Sequence, residues 1–356
     1  MIPEHWLRVA LDPPRAWGAP LSAGSLRTTP EDFAVDEILG FDASGAGPHA
    51  LLKVRKRGAN SEWVARELAR TLGCKPFEVG LAGLKDRNAV TTQHFTVPRG
   101  KREAEEFIGL KGEGYEVLSS VAHQRKLPRG ALEGNRFAIA VRGFDGARAQ
   151  LDQRMQALAT GGVPNYFGEQ RFGRDAGNLR EVLQAAEKLA QGADTRRGSR
   201  RDDQGFLLSA ARSVVFNAIL ARRVEQGDWN RLLPGDVANL DGRGSVFPVE
   251  AVDAELEQRC RLLDIHPTAP LPGAGESLSK DAVLALETEV AGEFPQALAV
   301  IGAAGMNSER RALRIRVRDL EYDCEGDVLQ LSFALSAGSF ATTVLREIIA
   351  GAAIKE

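Results

Sequence analysis

The chain has 356 residues, 43% of them hydrophobic and 26% charged, with a formal net charge of −2 at pH 7. That length calls for one large domain or two, and that composition excludes a fibrous or disordered chain. Cys74, Cys260 and Cys324 are far apart and form no CxxC, which argues against a disulfide framework or zinc site; charges and prolines interrupt "MIPEHWLRVALDPPRAWGAP" before a signal-length apolar run, so a cytoplasmic, membrane-free protein is expected.

In chain order, "TTPEDFAVDEI" at 28–38 brings Phe33 into a charged approach to a strand. "NSEWVARELARTL" at 60–72 sets Val64, Leu68 and Leu72 on one helical face, capped by Asn60 or Ser61 and stopped by Gly73. "QHFTV" at 93–97, "YEVLSSVAH" at 115–123 and "RFAIAVRG" at 136–143 alternate as strands with one buried face. A helix carrying Leu151, Met155 and Leu158 follows, then amphipathic helices at 178–192 and 206–227, then short strands and turns rich in Gly and Pro. From Arg311 alternation returns, with Leu313, Ile315 and Val317 opposite Arg314, Arg316 and Arg318; "DVLQLSFAL" adds a strand, and "SFATTVLREIIAG" reads as a last helix burying Val344, Leu345, Ile348 and Ile349. Strands at both ends around a helix-rich centre look like an α/β domain interrupted by an insertion.

Local charge departs from the sum. Residues 123–142 hold Arg125, Lys126, Arg129, Arg136 and Arg142 against Glu133, a balance of +4, whereas 250–293 carry ten acids against three bases, −7. Phosphates respond to such clusters within a Debye length of about 8–10 Å.

"AGLKDRNAVTTQHF" at 82–95 places Asp86 between Lys85 and Arg87. A turn feeding a strand explains an aspartate there; so does a poised anion, since flanking cations favour the ionised form. The histidines show no metal-ligand spacing, and no GxGxxG, Walker or GxSxG string appears. What remains is polar and aromatic: "HQRKLPRGALEGNRF" at 123–137 and "GGVPNYFGEQRFGRD" at 161–175 supply cations, glycines, amides and rings. Each alone reads as a capped turn with core aromatics; together they offer what an RNA enzyme needs to hold phosphates and an extruded base.

The strings "EDFAVDE", "GLAGLKDRNAVTTQHFTV", "RKLPRGALEGNRF", "NYFGEQRFG", "SAARSVVFNAILARRV", "GDVANLDGRGSVF", "ERRALRI" and "FALSAGSFATTVLREI", in this order, resemble the TruD type of tRNA pseudouridine synthases over nearly the whole chain. The resemblance implies an α/β (α+β) pseudouridine synthase catalytic domain, an open mixed sheet with flanking helices, formed by 1–160 and 309–356 and interrupted by an insertion domain at 161–308. It implies isomerisation of a uridine in tRNA, position 13 being the family's usual target, with Asp86 as catalytic carboxylate and Phe33, Asn135 and Phe137 lining the base pocket. Phe340 stands where many relatives have tyrosine, and Pro128 interrupts a stretch that is often more basic.

Isomerisation gains no atom, so no cofactor or metal is expected; the expected partner is tRNA, bound by a monomer. Lys85, Arg87, Arg125, Lys126, Arg129, Gln170 and Arg171 are candidate RNA contacts, as are "KVRKR" at 53–57 and "RRGSRR" at 196–201. Two other classes compete: a catalytically silent tRNA-binding or RNA-folding factor of the same fold, and a glycoside hydrolase, which needs a second carboxylate for which Glu169 is the motif candidate.

Overall fold

The computed structural model describes residues 1–192 and 201–351, with 201–204 described by backbone only. The side chains of "RRGSRR" at 196–201 thus lie outside the described residues. The chain folds as two compact units.

One unit comprises Leu21–Ala147, Val317–Ala341 and the residues from Ile349. It is built on a nine-stranded sheet: β1 (Phe33–Ile38), β2 (His49–Arg57), β3 (Gly80–Leu81), β4 (Val90–Pro98), β5 (Lys111–Gly112), β6 (Tyr115–His123), β7 (Gly134–Arg142), β8 (Arg318–Glu325) and β9 (Val328–Ser336). The order is β8-β9-β7-β1-β4-β2-β6-β5, with β3 paired to β4. Only β1 and β4 run parallel, so the sheet is mixed. The helix α1 (Ser61–Leu72) buries Val64 and Leu68 and ends at Gly73, whose φ of +71° is the left-handed stop a glycine supplies most easily. α1 packs with Ala50, Leu52, Val54, Phe95, Val97 and Val117 in one apolar cluster.

Register fixes what shares a face. Val35 pairs with Phe137 and with Thr91, Thr91 pairs with Lys56, and Gln93 pairs with Val54. Cross-strand partners point to the same side. Phe33, Val35, Thr91, Gln93, Asn135, Phe137 and Lys56 therefore project from one side of the sheet.

The other unit comprises Met1–Pro20, Arg148–Arg316 and Thr342–Ile348. Its core gathers Trp6, Tyr166, Phe167, Phe172, Phe216 and Phe294 around the helix Arg201–Glu225. Residues Gly205–Glu225 are long and apolar enough for a membrane span, yet 67% of that window is buried inside the protein, as in a core helix. Two buried arginines here are paired with carboxylates: Arg223 bonds Asp228 and Asp236, and Arg310 bonds Glu287.

The compact units do not divide at 160/161 and 308/309. The helix Arg148–Gly161, the N-terminal stretch Met1–Pro20 and the segment Thr342–Ile348 group with the middle because they bond there: Arg154 donates to the carbonyls of Ala19 and Glu347, and Trp17 Nε1 donates to Gly162 O at 2.9 Å. The expected strand from Arg311 is broken into Glu309–Ala312, Arg314–Ile315 and β8. Its alternation fails at Arg314, only 3% exposed, because the guanidinium turns inward to His266 Nδ1 and the carbonyls of Asn230, Cys260 and Ile265. The expected last helix shrinks to Ala341–Leu345. Val344, Leu345, Ile348 and Ile349 are buried as expected, but Ile349 joins a short parallel strand pair with Ser22.

Candidate active site

The loop 82–89, between β3 and β4, carries Asp86. It contains bends but no hydrogen-bonded turn of its own, and its backbone is held by side chains. Gln93 Nε2 donates to Gly83 O. The Lys85 N–H donates to Ser61 Oγ at 2.9 Å, and that hydroxyl donates to Gln93 Oε1 at 2.7 Å. Beneath them Lys56 Nζ donates to the carbonyls of Ala59, Lys85 and Asp86 at 2.9, 3.2 and 2.7 Å. Lys56 follows Ala50, Leu52 and Val54 on the inward side of β2 and is 1% exposed. Burial pushes its ammonium down from the usual lysine range to about 8, against the pull of the nearby Asp86 and with a push from Lys85. "KVRKR" is thus corrected as a uniform RNA-contact strip: Lys56 is internal, Arg55 pairs with Glu116 at 2.9 Å, and Arg57 pairs with Glu31 at 2.6 Å.

Neither neighbour in sequence supplies the cation for Asp86. Lys85 Nζ turns inward to Glu37 Oε2 at 2.9 Å, its side chain 7% exposed, so an outward RNA contact by Lys85 is also corrected. Glu37 Oε1 accepts from the His94 N–H at 2.9 Å and lies 3.2 Å from His94 Nδ1. Burial alone raises a carboxyl, but the bonds from His94 and the Lys85 ammonium outweigh it and hold Glu37 below the ordinary carboxylate range. Arg87 is exposed and donates from Nε to Gly58 O at 3.1 Å.

The cation is Arg27. Its Nη2 donates to Asp86 Oδ2 at 2.6 Å, with the Arg27 side chain 8% exposed and the Asp86 side chain 51% exposed. The guanidinium also covers Phe33, 4.1 Å from the ring centroid. Arg27 has φ +57°, a left-handed backbone that costs a non-glycine residue roughly 1–2 kcal/mol. Sequence reasoning missed it; the one signal was a lone arginine six positions before Phe33 in "SLRTTPEDF".

The three expected pocket residues come together on the sheet. Phe33 and Phe137 meet edge to face, 6.2 Å between centroids and 72° between planes. Both are nearly buried, at 3% and 6% exposure. Asn135 pairs across the strand with Glu37, two residues along from Phe137. Among the described residues its Oδ1 is buried without a hydrogen-bond partner, and so is Arg27 Nε. A buried acceptor left open on the strand that also carries Phe137 is the kind of exception that a bound substrate satisfies.

The basic loop 124–133 is tied to the same place. Leu127 is buried with its N–H on Thr96 Oγ1 at 2.8 Å, and the Gly130 N–H donates to Ala82 O at 2.7 Å. Arg125, Lys126 and Arg129 are exposed on it. Gln170 and Arg171 belong to the other unit. Gln170 is exposed; Arg171 is half-buried, donates to Ser209 Oγ at 2.8 Å and packs 5.1 Å from the Phe167 ring. The aromatics of "NYFGEQRFG" are core: Asn217 accepts from the Phe167 N–H and donates to Phe167 O, and Arg311 lies 4.2 Å over the Phe167 ring. Among the described residues no group of three His, Cys, Asp or Glu is placed to hold a metal ion.

A family model described as tRNA pseudouridine synthase D (TruD) matches residues 15–192 and 201–348. The tRNA pseudouridine synthase D of Xanthomonas euvesicatoria is 46% identical over 346 residues, covering 94% of each chain. That of Methylococcus capsulatus is 44% identical over 339 residues, 95% of this chain and 94% of the relative. A solved structure from Methanosarcina mazei, described as a candidate tRNA pseudouridine synthase D, superposes with a TM-score of 0.78 over 98% of both chains at 23% identity, a likeness of fold. Matches of that extent and identity mean that the chain belongs to the TruD family of tRNA pseudouridine synthases.

Proposed function

We propose that this protein is an isomerase that converts a uridine in tRNA to pseudouridine, with Asp86 as its catalytic carboxylate. One observation carries the assignment: a half-exposed carboxylate stands on a loop whose backbone is clamped by buried side chains, with a buried arginine 2.6 Å from one of its oxygens. Such preorganisation places a reacting group without reorganisation at the moment of reaction.

The reaction breaks the uridine N1–C1′ bond, turns the uracil and joins C5 to C1′. N1 gains a proton and the C5 proton leaves, so atoms balance without cofactor, metal or ATP. An anionic Asp86 can attack uracil C6, attack C1′, or take the C2′ proton, and all three routes need the ionised form. Arg27 stabilises that form through a charge-assisted bond. Asn135 Oδ1 accepts from the uracil N3–H, and Phe33 and Phe137 form the apolar wall behind the base. The exposed Arg125, Lys126, Arg129 and Arg87 take backbone phosphates. The protein acts as a monomer in the cytoplasm, and the modified position is 13, as the family resemblance implies; in the other unit the exposed Gln170 is a further candidate contact. The division of labour proposed is a catalytic unit built on the nine-stranded sheet and an insertion unit centred on the helix Arg201–Glu225.

Release of tritium from a tRNA transcript carrying C5-tritiated uridine measures turnover directly. Wild-type protein releases the label and Asp86→Asn does not; near wild-type release by Asp86→Asn sinks the assignment.

A further inference from the structure

One cavity of the sheet unit combines an aromatic ring with several cations; it shares Lys126 and Arg129 with the basic loop, but Phe77 and Arg66 have no role in the site above. We infer that this cavity, of about 510 Å³ between α1 and the basic loop, holds a second unpaired nucleotide of the RNA, its base on the Phe77 ring and its phosphate among Arg66, Lys126 and Arg129. The inference rests on the tRNA reading above.

The volume is that of a small-molecule site. Phe77 is 69% exposed, and Lys75 Nζ lies 5.7 Å from its centroid, so the ring stands in a positive field. A single exposed phenylalanine means little; a ring sharing a cavity with three cations is the combination used to stack a base and hold its phosphate. The one lining acid is Glu62, which meets Arg129 at 3.4 Å with both side chains more than half exposed, a weak pair that a phosphate can replace. Among the described residues neither Arg66 nor Lys126 has a carboxylate within ion-pair distance; Lys126 Nζ donates to Phe77 O instead.

The cavity is built. Gly80 forms part of its wall, and a Cβ there would lie 2.6 Å from Leu127 O. Only a bare backbone lets the basic loop lie against β3. That same β3 runs on into the Asp86 loop: Asp86 is five positions after Leu81, at most about 18 Å of chain. The stacked nucleotide is therefore a near neighbour of the target uridine, and its capture helps to pull the strand apart.

Equilibrium binding of a tRNA transcript to wild type, Phe77→Ala and Phe77→Trp tests this, with transcripts carrying single abasic sites on either side of the target uridine. Phe77→Ala weakens binding by about 5- to 150-fold, the worth of one base–aromatic stack, and Phe77→Trp restores it. One abasic position weakens wild type by a similar factor and leaves Phe77→Ala unchanged. Binding by Phe77→Ala within twofold of wild type, or equal abasic losses in both proteins at every position, overturns the inference. Tritium release is read on the same samples: release by wild type without a Phe77 effect overturns the cavity alone. Binding that depends on Phe77 without any release supports the cavity and overturns the assigned reaction, and no binding of tRNA at all overturns both.

Discussion

Arg27 Nη2 sits 2.6 Å from Asp86 Oδ2, although they are 59 positions apart in sequence. Removing the cation deprives the carboxylate of a charge-assisted bond worth roughly 1.5–3 kcal/mol. Arg27→Ala should slow single-turnover tritium release about ten- to a hundredfold at saturating protein, and Arg27→Lys should recover part of the loss. An unchanged rate in Arg27→Ala would show that the pair only packs the unbound site.

Lys56 predicts an alkaline limit with an unusual sign. Its ammonium, lowered by burial to about 8, loses a proton as pH rises through that value, and one of its three N–H donors to the Ala59, Lys85 and Asp86 carbonyls goes with it. Turnover should therefore fall above pH 8. Stability should not fall with it through this group. Between about 8 and the ordinary value of 10.5 the unfolded chain binds more protons than the folded one, so Lys56 makes unfolding harder as pH rises. Rate profiles and urea titrations from pH 7 to 10 on wild type and Lys56→Met separate the two; the variant should be slow throughout and lack the limb at 8.

Glu37 predicts an acid limit. Its carboxyl is held low by His94 and Lys85 despite burial, so the stabilisation it brings is complete above about 4.5 and is lost as pH falls through its depressed folded value. Glu37→Leu strands the Lys85 ammonium, 7% exposed, and should cost about 3–5 kcal/mol in urea unfolding at neutral pH. A loss below 1 kcal/mol would mean that Lys85 finds another partner.

Arg125, exposed on the basic loop, predicts a purely electrostatic effect. Arg125→Ala should lower the slope of log Kd against log salt by roughly 0.7–0.9 and leave single-turnover release at saturation unchanged. A changed saturating rate would move Arg125 from phosphate contact to the chemistry.

The sheet is readable because alternation is a local property: Tyr115–His123 occurs as the pattern predicts, and α1 starts at Ser61 behind Asn60, one of its two expected caps. Phe33, Asn135 and Phe137 are expected together through the family strings, and β1–β7 register explains why they share one side of the sheet. Arg27 and Lys56 are not legible in that way. Arg27 depends on a left-handed backbone and on a loop arriving from 59 residues away; Lys56 reads as one of four cations in "KVRKR" until strand parity turns it inward. The break at Arg314 escapes because an arginine in an alternating run reads as outward until its buried partners are known, and the helix end at Leu345 escapes because it falls three residues before the chain changes unit after Ile348, which no local period records.

Among these anchors, Arg27 touches the Asp86 side chain; Lys56, Ser61 and Gln93 grip the loop by its main chain. The main-chain grip is thus independent of what residue 86 carries beyond its Cβ. An inactive Asp86→Asn protein keeps the loop and the basic surface in place, and is a ready-made trap for recovering the RNA that the working protein would release.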